Sequence, residues 1–303
     1  MQEFELTILG CGSAKPSLRH YPSSQILSYR GKLFMIDCGE GAQFQFMRYG
    51  FNLNRLSHIF ISHLHGDHCF GLIGLISTFG LMGRTGELVI HSHADLEAIL
   101  RPEIDYFCRQ SPFKVSFSHI PPGSSVIYED KSLFVKSFPL NHRVPTSGFR
   151  FQEKQKLPHI DKPVADYYNI PVKELHSIKE GADFVTPEGV VVPNNRLVLP
   201  ASPSASYAYC SDTAYTKRII PHIEGATVLY HESTYTQEYA KQAKARYHST
   251  ASEAAKIASE AGVGKLILGH YSSRYKDEKQ FLEEAKPHFP ETVLGYEGFK
   301  LNF

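Results

Sequence analysis

The chain has 303 residues, 42% of them hydrophobic and 21% charged, with a formal net charge of +1. Those figures suit a globular protein with a buried core and exclude a chain-wide basic surface for nucleic acid, so any phosphate-bearing substrate must be met by a local patch or by metal ions. Five cysteines without a C-x-x-C pair argue against a disulfide framework. The acidic start at Glu3 and Glu5 is no signal peptide and no run of about 18 apolar residues exists, so the expected location is the cytoplasm, away from membranes.

Phe4 to Leu9 alternates as a strand and ends at Gly10-Cys11-Gly12. A loop carrying Lys15, Arg19 and His20 follows, then a hairpin of 25–29 and 32–36 turned at Arg30-Gly31, then a helix over 42–49. The apolar run Ile59-Phe60-Ile61 reads as a short buried strand. It delivers Ser62-His63-Leu64-His65-Gly66-Asp67-His68, three histidines and an aspartate within six positions. Imidazole and carboxylate suit zinc and similar divalent ions. In such a loop His63 and His65 can face one point while Asp67 and His68 turn to another about 3.5–4 Å away, the spacing of two-metal sites. Gly66 supplies the bend.

A helix over 71–81 packs behind that loop. The strand 88–90 leads to a second H-x-H, His91 and His93, which no acidic partner follows and which is set aside as structural. A helix from Asp95 to Leu100 and strands at 113–119, 125–129, 133–138 and 148–152 come next. The third of these strands runs into Asn141-His142, so His142 ends a strand as His63 does. From 153 to 196 the texture changes to scattered prolines and lysines with no clear core face, which reads as an inserted, protruding arm at about 153–195 with small local structure near 172–179 and 184–192.

Order returns with Ser206 to Cys210, a strand delivering Ser211-Asp212-Thr213, and with 227–230, which delivers His231-Glu232-Ser233-Thr234. His248 stands just before a helix over 251–261, whose Thr250-Ala251-Ser252-Glu253 start is a capping box. The strand 265–268 delivers Gly269-His270, and a helix over 277–285 and a strand at 292–294 close the chain.

Strand ends therefore place His63, His65, Asp67, His68, His142, Asp212 and His270 in comparable loops. His63, His65 and His142 would hold one metal, Asp67, His68 and His270 a second, and Asp212 would bridge them. Five histidines and two carboxylates suit two zinc ions, with manganese as the other candidate.

The H-x-H-x-D-H loop resembles that of the metallo-β-lactamase superfamily. Together with Asp37-Cys38-Gly39-Glu40-Gly41, Asn141-His142, Ser211-Asp212-Thr213, His231-Glu232-Ser233-Thr234, His248-Ser249-Thr250 and Gly269-His270, it is similar to the ribonuclease Z family, over nearly the whole chain. The resemblance implies an α/β protein, a four-layer αβ/βα sandwich with two zinc ions per subunit, and a homodimer. It implies a tRNA precursor as substrate, gripped by the arm and cut on its 3′ side to leave a 3′-hydroxyl on the tRNA and a 5′-phosphate on the trailer. It also implies the catalytic set Asp67, Glu232 and His248: Asp67 takes a proton from water, and His248, oriented by Glu232, protonates the leaving oxygen. Two parts depart from the family pattern. The arm reads Pro171-Val172-Lys173-Glu174-Leu175-His176-Ser177 where glycines are usual, and the first loop reads Pro16-Ser17-Leu18-Arg19-His20-Tyr21. A general two-metal phosphodiesterase acting on small diesters is the alternative reading, and a non-catalytic RNA-binding protein would need a broken metal site.

Overall fold

Runs such as Leu33-Phe34-Met35-Ile36 and Ile59-Phe60-Ile61 are apolar on both faces, which calls for strands covered on both sides. The computed structural model, which describes residues 4–303, provides that cover with two seven-stranded sheets. The first runs in the order Lys300–Asn302, Phe4–Gly10, Ser24–Tyr29, Lys32–Cys38, Leu56–Phe60, Leu88–Ser92 and Val115–His119. The second runs Thr292–Leu294, Leu266–Gly269, Val228–Glu232, Ser206–Cys210, Ser147–Glu153, Leu133–Pro139 and Ser125–Glu129. Each contains four consecutive parallel strands, Lys32–Cys38 to Val115–His119 in one and Ser206–Cys210 to Thr292–Leu294 in the other.

The sheets face each other through an aromatic layer. Phe34 lies 5.8 Å from Phe151 between ring centroids, and Phe60 lies 5.7 Å from Phe149 and 5.2 Å from Phe151. Alternation sends the neighbours of these rings outward. Leu33, Met35, Ile59 and Ile61 join the helices Ala42–Arg48, Leu72–Leu81 and Asp95–Phe107 in one apolar cluster. On the second sheet the helix Ala251–Glu260 packs over Val228–Glu232 and Leu266–Gly269, with Lys279–Ala285 against it. Helix, sheet, sheet, helix is the expected four-layer order. No helix among the described residues is long and apolar enough to cross a membrane.

Several elements differ from the sequence reading for identifiable reasons. The helix starting at Asp95 continues through Pro102 to Phe107, because Leu96, Leu100 and Ile104 are buried along one stripe and that packing outweighs the missing amide. The strand expected from Phe113 begins at Val115. An extra strand, Lys300–Asn302, pairs antiparallel with Phe4–Gly10 and completes the first sheet edge.

Residues 131–133 and 153–204 form a second compact unit. It has a core face that the sequence reading did not find: Ile178, Phe184, Val192 and Leu197 are buried together, with Ile160, Val164, Tyr168, Ile170 and Val198 against them. These residues lie far apart in sequence and follow no single period. The helix Leu175–Lys179 and the hairpin of Phe184–Val185 with Val191–Val192, turned at Gly189 (φ +82°), fall at the positions where small local structure was expected. The helix Lys162–Tyr167, capped by the Asp161 carboxylate, and the pair His159–Ile160 with Val198–Leu199 were not.

The loop that carries the histidine cluster is packed against the Cys38-Gly39 corner. A Cβ on Gly71 would collide with the Gly39 carbonyl oxygen, and one on Gly39 would lie 2.5 Å from the Asp67 carbonyl oxygen. Gly71→Ala should therefore lower the free energy of unfolding by about 1–3 kcal/mol in denaturant titration. Unchanged stability would mean that the two loops can separate without loss.

Candidate metal centre and active site

Seven side chains gather beyond the carboxyl ends of strands, six of them after parallel strands, the position where open α/β sheets place their ligands, and His142 after the antiparallel strand Leu133–Pro139. His63 and His65 follow the strand Leu56–Phe60, and a single helical turn, Gly66–Cys69, re-aims Asp67 and His68. Asp212 follows Ser206–Cys210, His142 follows Leu133–Pro139, and His270 follows Leu266–Gly269. His270 holds φ +61° and Asp37, at the end of Lys32–Cys38, holds φ +55°. Non-glycine residues in this region store about 1–3 kcal/mol of strain each and concentrate at functional sites.

The ligand atoms fall into two sets. In the first, His63 Nε2 is 3.0 Å from His65 Nδ1, His142 Nε2 is 3.3 Å from the same atom, and Asp212 Oδ2 lies 3.6 Å from His63 and 3.7 Å from His142. In the second, His68 Nε2 and His270 Nε2 are 3.3 Å apart, each faces Asp67 Oδ2 at 3.5 and 3.4 Å, and each faces Asp212 Oδ1 at 3.3 and 3.2 Å. Metal–ligand bonds of ~2.0–2.1 Å give tetrahedral edges of roughly 3.3 Å, so both sets have the size of a divalent ion's coordination shell. Asp212 Oδ1 is buried without a hydrogen-bond donor, a costly state for a carboxylate oxygen that a cation relieves. The residues fit a metal pair.

The outer nitrogens are anchored, which sets each ring's tautomer and direction. His68 Nδ1 meets Asp37 Oδ2 at 2.7 Å, His63 Nδ1 meets Ser62 Oγ at 3.1 Å, His142 Nδ1 meets the Tyr247 carbonyl at 2.9 Å, and His270 Nδ1 meets Thr234 Oγ1 at 2.8 Å. Asp37 is fully buried and also accepts bonds from Ser62 N, Ser62 Oγ and Tyr209 OH. Burial depresses the pKa of His63, His65 and His142, keeping their lone pairs available. Burial opposes charge on His68 too, but Asp67, Asp212 and Asp37 outweigh it and raise its pKa well above the usual value. Burial likewise works against the Asp212 carboxylate, and His270, His68 and His63 hold it well below the usual range.

Beside this cluster stands the pair Glu232 and His248. Glu232 Oε1 meets His248 Nδ1 at 2.9 Å and accepts bonds from the Thr213 and Ser249 amides, while Oε2 accepts from Thr234 N and Oγ1. Burial opposes protonation of His248, but Glu232 raises its pKa to about 9, so it carries a proton at neutral pH. Its Nδ1 is 3.9 Å from Asp212 Oδ2, close to both metal sets. His248 borders a cavity of 610 Å³ together with His65, Asp67, His142, Asp212 and His270, with Lys15, Arg143, Arg246 and Arg274 in its walls. Arg274 lies over the rings of Tyr235 and Tyr239 at 5.0 and 4.4 Å.

Every site residue expected from the sequence is in this assembly. His91 and His93 are not: His91 stacks on Phe60 at 4.4 Å and faces His58, and His93 meets the Ser147 hydroxyl. His231 packs beneath, its Nδ1 on the Glu232 carbonyl. The sequence reading missed Asp37 as the anchor of His68, Thr234 as the shared support of Glu232 and His270, and the four cavity cations. Asp37 had a usable signal, a lone carboxylate closing an apolar strand, the same pattern that marked Asp212.

Residues 4–157 match the family described as anti-Pycsar protein Apyc1 and belong to it over that span. That span ends before Asp212, Glu232 and His248. A ribonuclease Z of Phocaeicola vulgatus is 52% identical over 303 residues, covering 100% of this chain and 98% of the relative. Among solved structures, human tRNase Z, short form, aligns with a TM-score of 0.70 at 23% identity over 98% of each chain. The metallo-β-lactamase fold protein YhfI of Bacillus subtilis aligns with a TM-score of 0.70 at 19% identity, over 99% of this chain and 100% of its own. A buried two-part histidine–carboxylate cluster, the paired Glu232 and His248, and full-length identity of this order together place the chain in the ribonuclease Z family, on the metallo-β-lactamase fold.

Proposed function

We propose that this chain is a metal-dependent endoribonuclease that cuts tRNA precursors on their 3′ side, leaving a 3′-hydroxyl on the tRNA and a 5′-phosphate on the trailer. The observation that carries the reading is Asp212, whose two oxygens face separate ligand sets while one of them lacks a donor. His63, His65, His142 and Asp212 would hold one zinc ion, and Asp67, His68 and His270 with the same Asp212 would hold the other, with manganese as the substitute. When bound, such a pair supplies an acidified water at neutral pH and neutralises charge on phosphate oxygens.

The chain's own residues do the rest. Asp67, fixed by the Ala14 amide at 2.6 Å, takes the proton of the attacking water. His248 donates its proton to the departing 3′-oxygen of the tRNA, and Glu232, pinned by four further hydrogen bonds, keeps the imidazole charged and aimed. Lys15, Arg143, Arg246 and Arg274 receive the phosphates on either side of the cut.

The unit at 153–204 is the arm that grips tRNA. It carries six lysine and arginine side chains against seven acidic ones, so its grip rests on individual exposed groups such as Lys173 and Tyr167 rather than on net charge. The enzyme works as a cytoplasmic homodimer. The family resemblance supports both statements, the five free cysteines support the compartment, and exposed Phe44, Phe70 and Leu81 offer apolar surface to a second copy.

Asp212→Ala should lower metal content by two equivalents per chain and abolish cleavage, because one carboxylate serves both ions; unchanged metal content contradicts the bridging role. The acid form of His248 disappears as pH rises through about 9. Glu232→Gln removes the partner that raises that value, so the basic limb of the pH–rate profile should move to lower pH and the plateau should fall by about 10²-fold or more; an unmoved limb contradicts the acid role. Replacing 153–204 with a short linker should spare cleavage of a small model diester and weaken cleavage of a tRNA precursor. Equal loss on both substrates contradicts the arm role.

A further inference from the structure

A second group of metal-ligating side chains meets away from the active site, where the first loop touches the end of the chain. Cys11, fully buried after the strand Phe4–Gly10, puts Sγ 3.4 Å from His20 Nδ1 and 3.7 Å from Glu297 Oε1, and His20 Nδ1 is 3.0 Å from Glu297 Oε2. The Gly295 carbonyl oxygen is 3.6 Å from the sulfur. Zinc–sulfur bonds of ~2.3 Å and zinc–nitrogen or zinc–oxygen bonds of ~2.0–2.2 Å give tetrahedral edges of roughly 3.5 Å to sulfur and roughly 3.3 Å between nitrogen and oxygen. The cluster therefore has the dimensions of one face of a zinc shell, as the two active-site sets do.

We infer that Cys11, His20 and Glu297 form a third divalent-metal site, of the zinc class, separate from the catalytic pair. The charges agree with this. Without an ion, the buried thiol is neutral, and His20 stands between Glu297 and Glu278, the latter also gripped by Arg19 at 2.6 Å. An imidazolium and a guanidinium balance two carboxylates. When a divalent ion enters, the sulfur proton and the His20 Nδ1 proton leave, and His20 keeps its Nε2 proton toward Glu278 at 3.1 Å. Two protons are exchanged for one doubly charged ion, and the cluster stays neutral. The His20 and Glu297 side chains are 14% and 15% exposed, which gives the ion a way in, while the sulfur lies behind them.

The site has a structural consequence for the catalytic loop. Cys11 O accepts from Tyr271 N at 2.9 Å, directly after His270, and Ser13 N donates to Tyr271 O at 3.1 Å. Ala14 N then reaches Asp67. An ion on Cys11, His20 and Glu297 braces the segment that positions Asp67 and ties it to the chain's last thirty residues.

The test exploits sulfur, which none of the seven active-site ligands contains. Full-length protein stripped of metal and titrated with cobalt(II) should bind three equivalents, one of them giving a near-ultraviolet thiolate-to-cobalt charge-transfer band. Cys11→Ser should remove the band and one equivalent, and Glu297→Gln should do the same if the cysteine variant folds poorly. Cys69→Ser, beside the active-site loop, should leave both. Asp212→Ala, stripped of the catalytic pair, should still show the band, so this site stands or falls independently of the ribonuclease reading. Two equivalents without a band in the unsubstituted protein, or a band that survives Cys11→Ser, would overturn the proposal.

Discussion

The structure turns on one buried carboxylate. Asp212 is almost fully enclosed, and its two oxygens look in opposite senses, one toward His63 and His142, the other toward His68 and His270. A buried anion of this kind is tolerated only beside compensating charge. Four histidines close around it at 3.2–3.7 Å. This arrangement requires two separate sheets to deliver their carboxyl ends to one place. The aromatic layer of Phe34, Phe60, Phe149 and Phe151 holds the sheets at the distance that makes delivery possible.

A ring of hydrogen bonds behind the ligands converts that delivery into fixed directions. Asp37 draws His68, Ser62 and Tyr209 to a single carboxylate and so links both sheets at the site. Thr234 plays the matching part on the other side, joining Glu232 to His270 through one hydroxyl. On the proposed reading, Thr234 would support the general-acid pair and one metal ligand together. On that reading, a change at Thr234 would disturb both the Glu232–His248 pair and the direction of His270.

Much of the candidate site was legible because its proposed ligands follow apolar strands and because H-x-H-x-D-H is dense. The helix at 251–260 was legible through Thr250 and Glu253, whose reciprocal bonds are both present. What escaped notice was tertiary in origin. Asp37 looks like any strand-end acid until His68 is beside it. The core of residues 153–204 is assembled from Ile178, Phe184, Val192 and Leu197, with no periodic stretch to announce it. Helix Asp95–Phe107 runs through a proline because Ile104 is buried, a fact that local propensity does not contain. Nothing local joins Cys11 at the end of the first strand to His20 in the loop after it, and Glu297, nearly three hundred positions away, meets both.

The central claim is that this metal cluster serves RNA cleavage at a defined phosphate. Its most direct test is to incubate zinc-loaded protein with a 3′-extended tRNA precursor, map both new ends, and repeat the reaction with a chelator. The account predicts one chelator-sensitive cut just past the discriminator base, with a 3′-hydroxyl on the tRNA and a 5′-phosphate on the trailer. Turnover of a small phosphodiester with no cut in the precursor would contradict it and leave a general phosphodiesterase.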